Sequence, residues 1–341
     1  MSEPFKVGLL LSVEHGAEDD IAARFHNVLQ MARCAREVGF DFLEAPQHLL
    51  AAPNQYLHCV PLLSRVAAEV PGMRLGTNII ELTLHHPVEI AETLATLDVI
   101  SGGNLCVGFG RGYREEEFAS FGVAPGTRLS RFLESLELVK RLWTEDTVDH
   151  DGQHFRLNGV GIGIRPLQKP RPPIVLAASA DAMVERTARV ADGLTLAGHS
   201  TLEVLSRQID LYREALAQAG KPYPAPIQRV TLETYVGPDM QTAQREAYPY
   251  IARKYQSYAS WGQDDVLPPG QTFSAPIEAL AEDRFIVGDP DHVSERLLAY
   301  KRALSLNELC VRMHWIGMPY AQYERAVRLF ASSVLPRLKA A

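Results

Sequence analysis

Residues Arg74 to Tyr113 read RLGTNIIELTLHHPVEIAETLATLDVISGGNLCVGFGRGY. An apolar run from Leu75 to Leu84 passes through His85-His86-Pro87 into a segment with helical patterning. Ser101-Gly102-Gly103-Asn104 turns the chain, and Leu105 to Phe109 is a second short apolar run. That run opens directly into Gly110-Arg111-Gly112-Tyr113. Strand, helix and strand in this order make a βαβ unit. The glycine-arginine loop at its end offers a guanidinium and close backbone approach to an anion.

The rest of the chain repeats the unit. Phe5 to Ser12 is a continuous apolar run, as expected of a strand buried on both faces. Ile21 to Val38 has helical spacing and ends at Gly39, and Phe40 to Ala45 is a second strand that breaks at Pro46. Cys59 to Glu69 is a helix, followed by the opening unit. Downstream, further strands begin near Ile174, Gly193, Val230 and Leu309. Helices over Arg114–Phe121, Leu129–Trp143, Ser179–Val190, Thr201–Ala219, Gln241–Ser260, Pro290–Leu304 and Tyr320–Leu338 alternate with them, Ser179 standing as the cap of its helix and Asp289-Pro290 as a helix start. Eight strands alternating with helices, and no GxGxxG after the first, predict an α/β TIM (β/α)8 barrel rather than an open doubly wound sheet. We read residues 1–341 as a single barrel domain with two insertions. One, at about 145–172, carries a hairpin at Asp151-Gly152; the other, at about 261–285, lacks periodicity and reads as a lid-like loop.

Composition narrows the function. A chain of 341 residues, 46% hydrophobic and 22% charged, is an ordinary globular protein. Its net charge of −7 argues against a nucleic-acid partner. The four cysteines, Cys34, Cys59, Cys106 and Cys310, lie far apart, which argues against both a metal site and a disulfide framework. No run is long enough to span a bilayer and the N-terminus reads as a strand, so the expected location is cytoplasmic, with no membrane partner.

In a barrel the chemistry sits where strands end and helices begin. His48, after the second strand, can act as general acid or base. Asn78 interrupts a buried strand, so its amide pairs either with protein or with a ligand. Arg111, between Gly110 and Gly112, suits a phosphate. Ala178 and Ser179 stand at a helix start, where backbone N–H groups bind anions. Adjacent His85 and His86 make a poor metal pair, and at least one belongs to the helix entry. Glu44 and Glu81 can each pair with arginine or accept from a ligand.

The segment GTNIIELTLHHPVEIAETLATLDVISGGNLCVGFGRGYREEEFASFGV resembles the bacterial luciferase-like family of flavin-dependent monooxygenases. The likeness is carried by Gly76-Thr77, His86-Pro87, Ala91-Glu92, Leu97-Asp98, Ser101-Gly102-Gly103, Arg111-Gly112 and Phe121-Gly122, and continues from Phe5 to the last helix. It implies a homodimer of TIM barrels that takes reduced FMN from a separate flavin reductase, forms a flavin peroxide with dioxygen and oxygenates a small organic substrate. It implies His48 as the catalytic residue, and a non-proline cis peptide at Asn78-Ile79 beside the flavin ring. Gly110, Arg111, Gly112, Arg131, Ala178, Ser179 and Met183 fall at cofactor-binding positions. The substrate pocket would draw on Gln47, Tyr113, His199, His314 and Trp315. Departures at Gln47-His48-Leu49-Leu50, Gly110 and Ala178, with a loop after Ser179 one residue longer, weigh against long-chain aldehyde chemistry and light emission. A deazaflavin-dependent oxidoreductase is the alternative within the family, and a non-catalytic flavin-binding protein is a third reading.

Overall fold

The computed structural model describes residues 4–262, 264 and 272–340. The apolar runs form eight barrel strands: β1 Lys6–Leu10, β2 Phe42–Ala45, β3 Arg74–Thr77, β4 Leu105–Gly110, β5 Ile174–Ala178, β6 Gly193–Ala197, β7 Ile227–Val236 and β8 Glu308–Arg312. Each pairs in parallel with its sequence neighbour. Lys6 against Glu308 and Val7 against Leu309 close the ring between β1 and β8. The runs are apolar because most of these strands are buried on both faces; every residue of β4 is buried. Room inside the barrel depends on missing side chains. A Cβ on Gly8 would lie 2.1 Å from the Phe42 ring, which fills the space instead.

Helices α1 Ile21–Glu37, α2 Cys59–Glu69, α3 Pro87–Ile100, α4 Glu115–Ser120, α5 Arg128–Thr144, α6 Asp181–Val190, α7 Leu202–Gln218, α8 Met240–Ser260, α9 Ile277–Arg284, α10 Pro290–Ala303 and α11 Tyr320–Ser333 connect the strands. Their starts follow local chemistry. His86 accepts from the Val88 N–H ahead of Pro87, and Asp289 accepts from the Asp291 and His292 N–H groups ahead of α10.

Four elements differ from the sequence reading. Ser179 does not cap α6: the cap position is Ala180, and the Ser179 carbonyl accepts instead from Gln208 Nε2 at 2.7 Å. The closing helix is broken after Ser333 and resumes at Leu335–Ala340, because Pro336 has no N–H to continue the ladder. β7 starts at Ile227 and carries the short strand Ile286–Gly288 beside its far end. Within 261–285 the structure has α9, whose buried apolar residues are only Leu280 and Ala281, too few for a stripe. Residues 263 and 265–271 of the expected lid lie outside the described residues. In the 145–172 segment, Val148–Asp151 and Arg156–Val160 pair antiparallel. No helix among the described residues is long and apolar enough to cross a membrane.

Candidate active site

At the C-terminal ends of the strands lies a cavity of about 310 Å³, lined from nearly every side of the barrel. His48 stands on its wall, and the loop carrying it is fastened from α4. Glu117 Oε1 accepts from the Leu49 N–H at 2.8 Å. Arg114 donates to the carbonyls of Leu49 and Leu50 at 2.6 and 3.2 Å and to Glu117 at 3.1 Å. Gln47, behind His48, is buried and bound on both ends: Nε2 lies 3.1 Å from His58 Nε2, and Oε1 accepts from the Glu81 N–H and lies 3.2 Å from His85 Nε2. The imidazole therefore has a fixed backbone on both sides.

Two carboxylates face His48 Nδ1, Glu81 at 3.4 Å and Glu117 at 3.6 Å. Burial alone would discharge the ring. Glu117 and Glu81 outweigh burial and hold its pKa up to about 10. Burial pushes the Glu81 carboxyl up to about 7, whereas Glu117 is drawn down to about 2, its own burial offset by His48, Glu81 and the Leu49 N–H. Two neighbouring carboxyl groups in low dielectric share a proton in this way. The three ligand-type atoms lie within 4.8 Å of one another, a spacing that also suits a divalent ion, but Arg114 already supplies Glu117 with a positive charge. On its other side His48 Nε2 lies 3.5 Å from the Tyr113 hydroxyl. The rings of Tyr56, Tyr113 and Trp261 meet His48 edge-on at 5.6–5.7 Å.

The floor is built around Asn78, Ile79 and Gly110. The Asn78-Ile79 peptide is cis. Asn78 Nδ2 donates to Glu44 at 2.7 Å and to Thr231 Oγ1 at 2.8 Å, so the amide nitrogen is satisfied by protein. Beside it, a Cβ on Gly110 would meet Ile79 Cδ1 at 2.6 Å, so the missing side chain leaves room for the Ile79 side chain. Gly112 follows at φ +82°, the left-handed region that swings Tyr113 toward His48. Ala177, Ala178, Ser179, Ala180 and Met183 continue the lining to the start of α6, which has no side-chain cap. Arg111 lies on the same rim, exposed, with no side-chain partner among the described residues.

The opposite lobe holds charges that the sequence did not single out. Glu233 on β7, Lys254 on α8 and Arg312 at the end of β8 all line the cavity. Lys254 Nζ bonds Glu233 Oε1, and the Trp315 indole donates to Glu233 Oε2 at 2.5 Å. His199 lines the cavity as well. Burial, aided by Lys254 and Arg284, lowers its pKa to about 4, so it is neutral at pH 7.

Of the sequence candidates, Gln47, His48, Asn78, Ile79, Gly110, Arg111, Gly112, Tyr113, Ala178, Ser179, Met183 and His199 come together on this cavity. Three do not. Arg131 turns its Nε to the Thr83 carbonyl at 3.0 Å and stacks on Phe155. His314 is bound between Ser12 and the Met318 carbonyl, and Trp315 holds Glu233 from behind the wall. Tyr56, Glu117, Lys254 and Arg312 were missed. Glu117 had only the faint signal of sitting one residue before buried Phe118 in an otherwise acidic helix. Arg312 had a better one, a charge closing an apolar strand.

The model of the luciferase-like monooxygenase family matches residues 5–306. The monooxygenase RslO1 from Streptomyces bottropensis is 29% identical and superposes with a TM-score of 0.86, over 97% of this chain and 99% of its own. The F420-dependent glucose-6-phosphate dehydrogenase of Nakamurella multipartita is 26% identical over 99% of this chain and 97% of its own. The oxygenating constituent of 3,6-diketocamphane monooxygenase from Pseudomonas putida, solved with FMN, is 19% identical, covers 98% of both chains and has a TM-score of 0.80, a likeness of fold alone. Because the family match runs from the first strand to the turn before the last, on the barrel described above, the chain belongs to the luciferase-like monooxygenase family.

Proposed function

We propose that this chain is a monooxygenase that takes reduced FMN from a separate reductase and uses dioxygen to oxygenate a small organic substrate, working as a homodimer. The observation that carries this reading is the placement of His48, with Glu81 and Glu117 at 3.4 and 3.6 Å from Nδ1. With two carboxylates at Nδ1 its pKa is held up to about 10, so at neutral pH the ring is an imidazolium with a proton to give. An oxygenation needs a proton donor at the oxygen atom being reduced. Removal of a hydroxyl proton from an alcohol needs the opposite, a neutral imidazole that can accept.

The residues present fit a flavin. Asn78, Ile79, Gly110, Ala177 and Ala178 line one part of the cavity mainly with short or apolar side chains, which leaves room for a ring system. Arg111 and the uncapped start of α6 present a guanidinium and free N–H groups to a phosphate. The flavin, when bound, supplies the electrons that activate dioxygen. The chain orients the ring against that lining, holds a proton at His48 and keeps water away with Tyr56, Tyr113 and Trp261.

A second reading, hydride transfer with a deazaflavin, is favoured by the F420-dependent dehydrogenase relatives. Mixing the chain with photoreduced FMN and with reduced deazaflavin, each under nitrogen and under air, separates the two. We expect FMN to bind and to reoxidise at a rate that the protein changes. Tight binding of the deazaflavin, with no FMN binding and no response to oxygen, would overturn the monooxygenase reading.

A further inference from the structure

Arg312 is the last residue of β8 and lines the cavity, with its side chain 17% exposed. The buried arginines elsewhere in the barrel have carboxylate partners: Arg74 grips Glu308 with two bonds of 2.5 and 2.7 Å, and Arg229 lies 2.5 Å from Glu44. Arg312 has nothing comparable. Its nearest carboxylate, Glu233, is 3.9 Å from Nε, and that carboxylate is already held by Lys254 and by the Trp315 indole. Glu14 contributes charge to the neighbourhood, but it accepts from Asn54 and makes no ion pair with Arg312. The terminal nitrogens of Arg312 make no hydrogen bond among the described residues. A largely desolvated guanidinium with its fork unfilled, at the catalytic end of a barrel strand, is complementary to a planar anion that is not part of the chain.

The surroundings say what is attached to that anion. Tyr56 lies 5.7 Å, ring to ring, from His48 and also feels the Arg312 charge. Tyr258 lines the same cavity and carries Lys254 Nζ 4.8 Å over its face. The rings of Tyr56 and Tyr258 thus share one cavity with the guanidinium and the imidazole. We propose that Arg312 is a substrate-binding residue, and that the substrate is an aromatic acid whose carboxylate sits on the Arg312 fork while its ring lies between Tyr56 and Tyr258, toward His48. This rests on reading the cavity as the substrate chamber of the proposed monooxygenase, and it involves no covalent step.

Calorimetric titration of the full chain with 2-naphthoate and with its neutral isostere 2-naphthamide tests the assignment. We expect the acid to bind about tenfold or more tightly than the amide, the worth of a charge-assisted bond to a fixed partner. Arg312→Gln should erase the preference and Arg312→Lys should keep part of it, with FMN binding unchanged in both. Equal affinity for acid and amide, no binding of the acid, or a preference that survives Arg312→Gln would each overturn the proposal. Should Arg312→Gln not fold, the wild-type preference and the Arg312→Lys variant decide the matter. The titration needs neither flavin nor oxygen. A chain that prefers the acid but leaves FMN unbound therefore breaks the monooxygenase reading alone, and one that binds FMN but ignores the charge breaks this inference alone.

Discussion

Two groups of buried charge lie close together in this barrel and serve opposite ends. Inside the ring, Arg74, Arg229, Glu44 and Glu308 form two cations against two carboxylates, all carried on strands. At the mouth, His48 faces Glu81 and Glu117, one imidazole against two carboxylates carried on a loop, a short strand and a helix. The interior set balances itself and is shut off, Arg229 being fully buried. The mouth set balances only by retaining protons, and it faces the cavity. Charge that is matched and enclosed holds a structure, whereas charge that needs a mobile proton to be matched is available for chemistry. Asn78 joins the two, since its amide donates to Glu44 while the residue forms part of the cavity floor.

The largest effect should come from unbalancing the interior. Burial works against the Arg229 charge, and Glu44 and Glu308 more than offset it. Arg229→Met strands Glu44 without its counter-ion and should lower unfolding stability by about 3–5 kcal/mol. Chemical denaturation measures this. Glu44→Gln combined with Arg229→Met should recover most of the loss, because two neutral groups replace a pair. If the double variant is no better than the single one, the interior group is not acting as a balanced pair.

His48→Ala tests the other region. Turnover should fall by about 10²–10⁴-fold, the usual contribution of a positioned proton donor. The melting temperature should move far less than in Arg229→Met, since Glu117 keeps Arg114 and the Leu49 N–H. Wild-type turnover with reduced FMN would remove His48 from the mechanism.

Much of this architecture was legible in the residues, and the limits of legibility follow the same division. The strands read as apolar runs because most are buried on both faces, which leaves a pattern that needs no partner to be recognised. His48, Asn78 and Arg111 read as candidates because each is polar at a strand end, a position with meaning before any contact is known. Glu117 did not, because Glu115, Glu116 and Glu117 look alike in sequence and only the packing of Phe118 decides which of them turns inward. Lys254 was hidden in a long helix, as one cation among many polar residues. Arg131 misled in the other direction: its position matched a phosphate contact, but Thr83 and Phe155 claim its guanidinium. Tertiary competition for a side chain leaves no trace in spacing.

Replacing Glu117 by Gln should change the pH profile more than the maximum rate. The raised pKa means that His48 is charged below about 10, so activity and the His48 share of stability are fully present below its unfolded value near 6.5 and are lost as pH rises through 10. Removing the Glu117 charge should bring the alkaline limb of turnover down by about one to two pH units. Glu117 itself, drawn down to about 2, contributes stability above its unfolded value near 4.5 that is lost as pH falls toward 2, and the variant should lack that acid transition.

Glu81→Gln should do least, and for a reason that separates the two carboxylates. Glu117 Oε1 receives the Leu49 N–H and Arg114, whereas the Glu81 carboxylate accepts no such bond among the described residues and its burial raises the carboxyl to about 7. The shared proton therefore rests on Glu81, and at pH 6 a neutral amide of the same shape replaces a neutral acid. Turnover at pH 6 should stay within about threefold of wild type and stability within about 0.5 kcal/mol, as for substitutions that disturb no charge. Above pH 7 the two proteins should diverge, because only the wild type gains a second carboxylate facing His48, and its alkaline limb should extend further. A loss at pH 6 as large as that of Glu117→Gln would place the negative charge on Glu81 instead and reverse the assignment of the pair, whereas profiles that coincide at high pH would show that Glu81 never charges against His48.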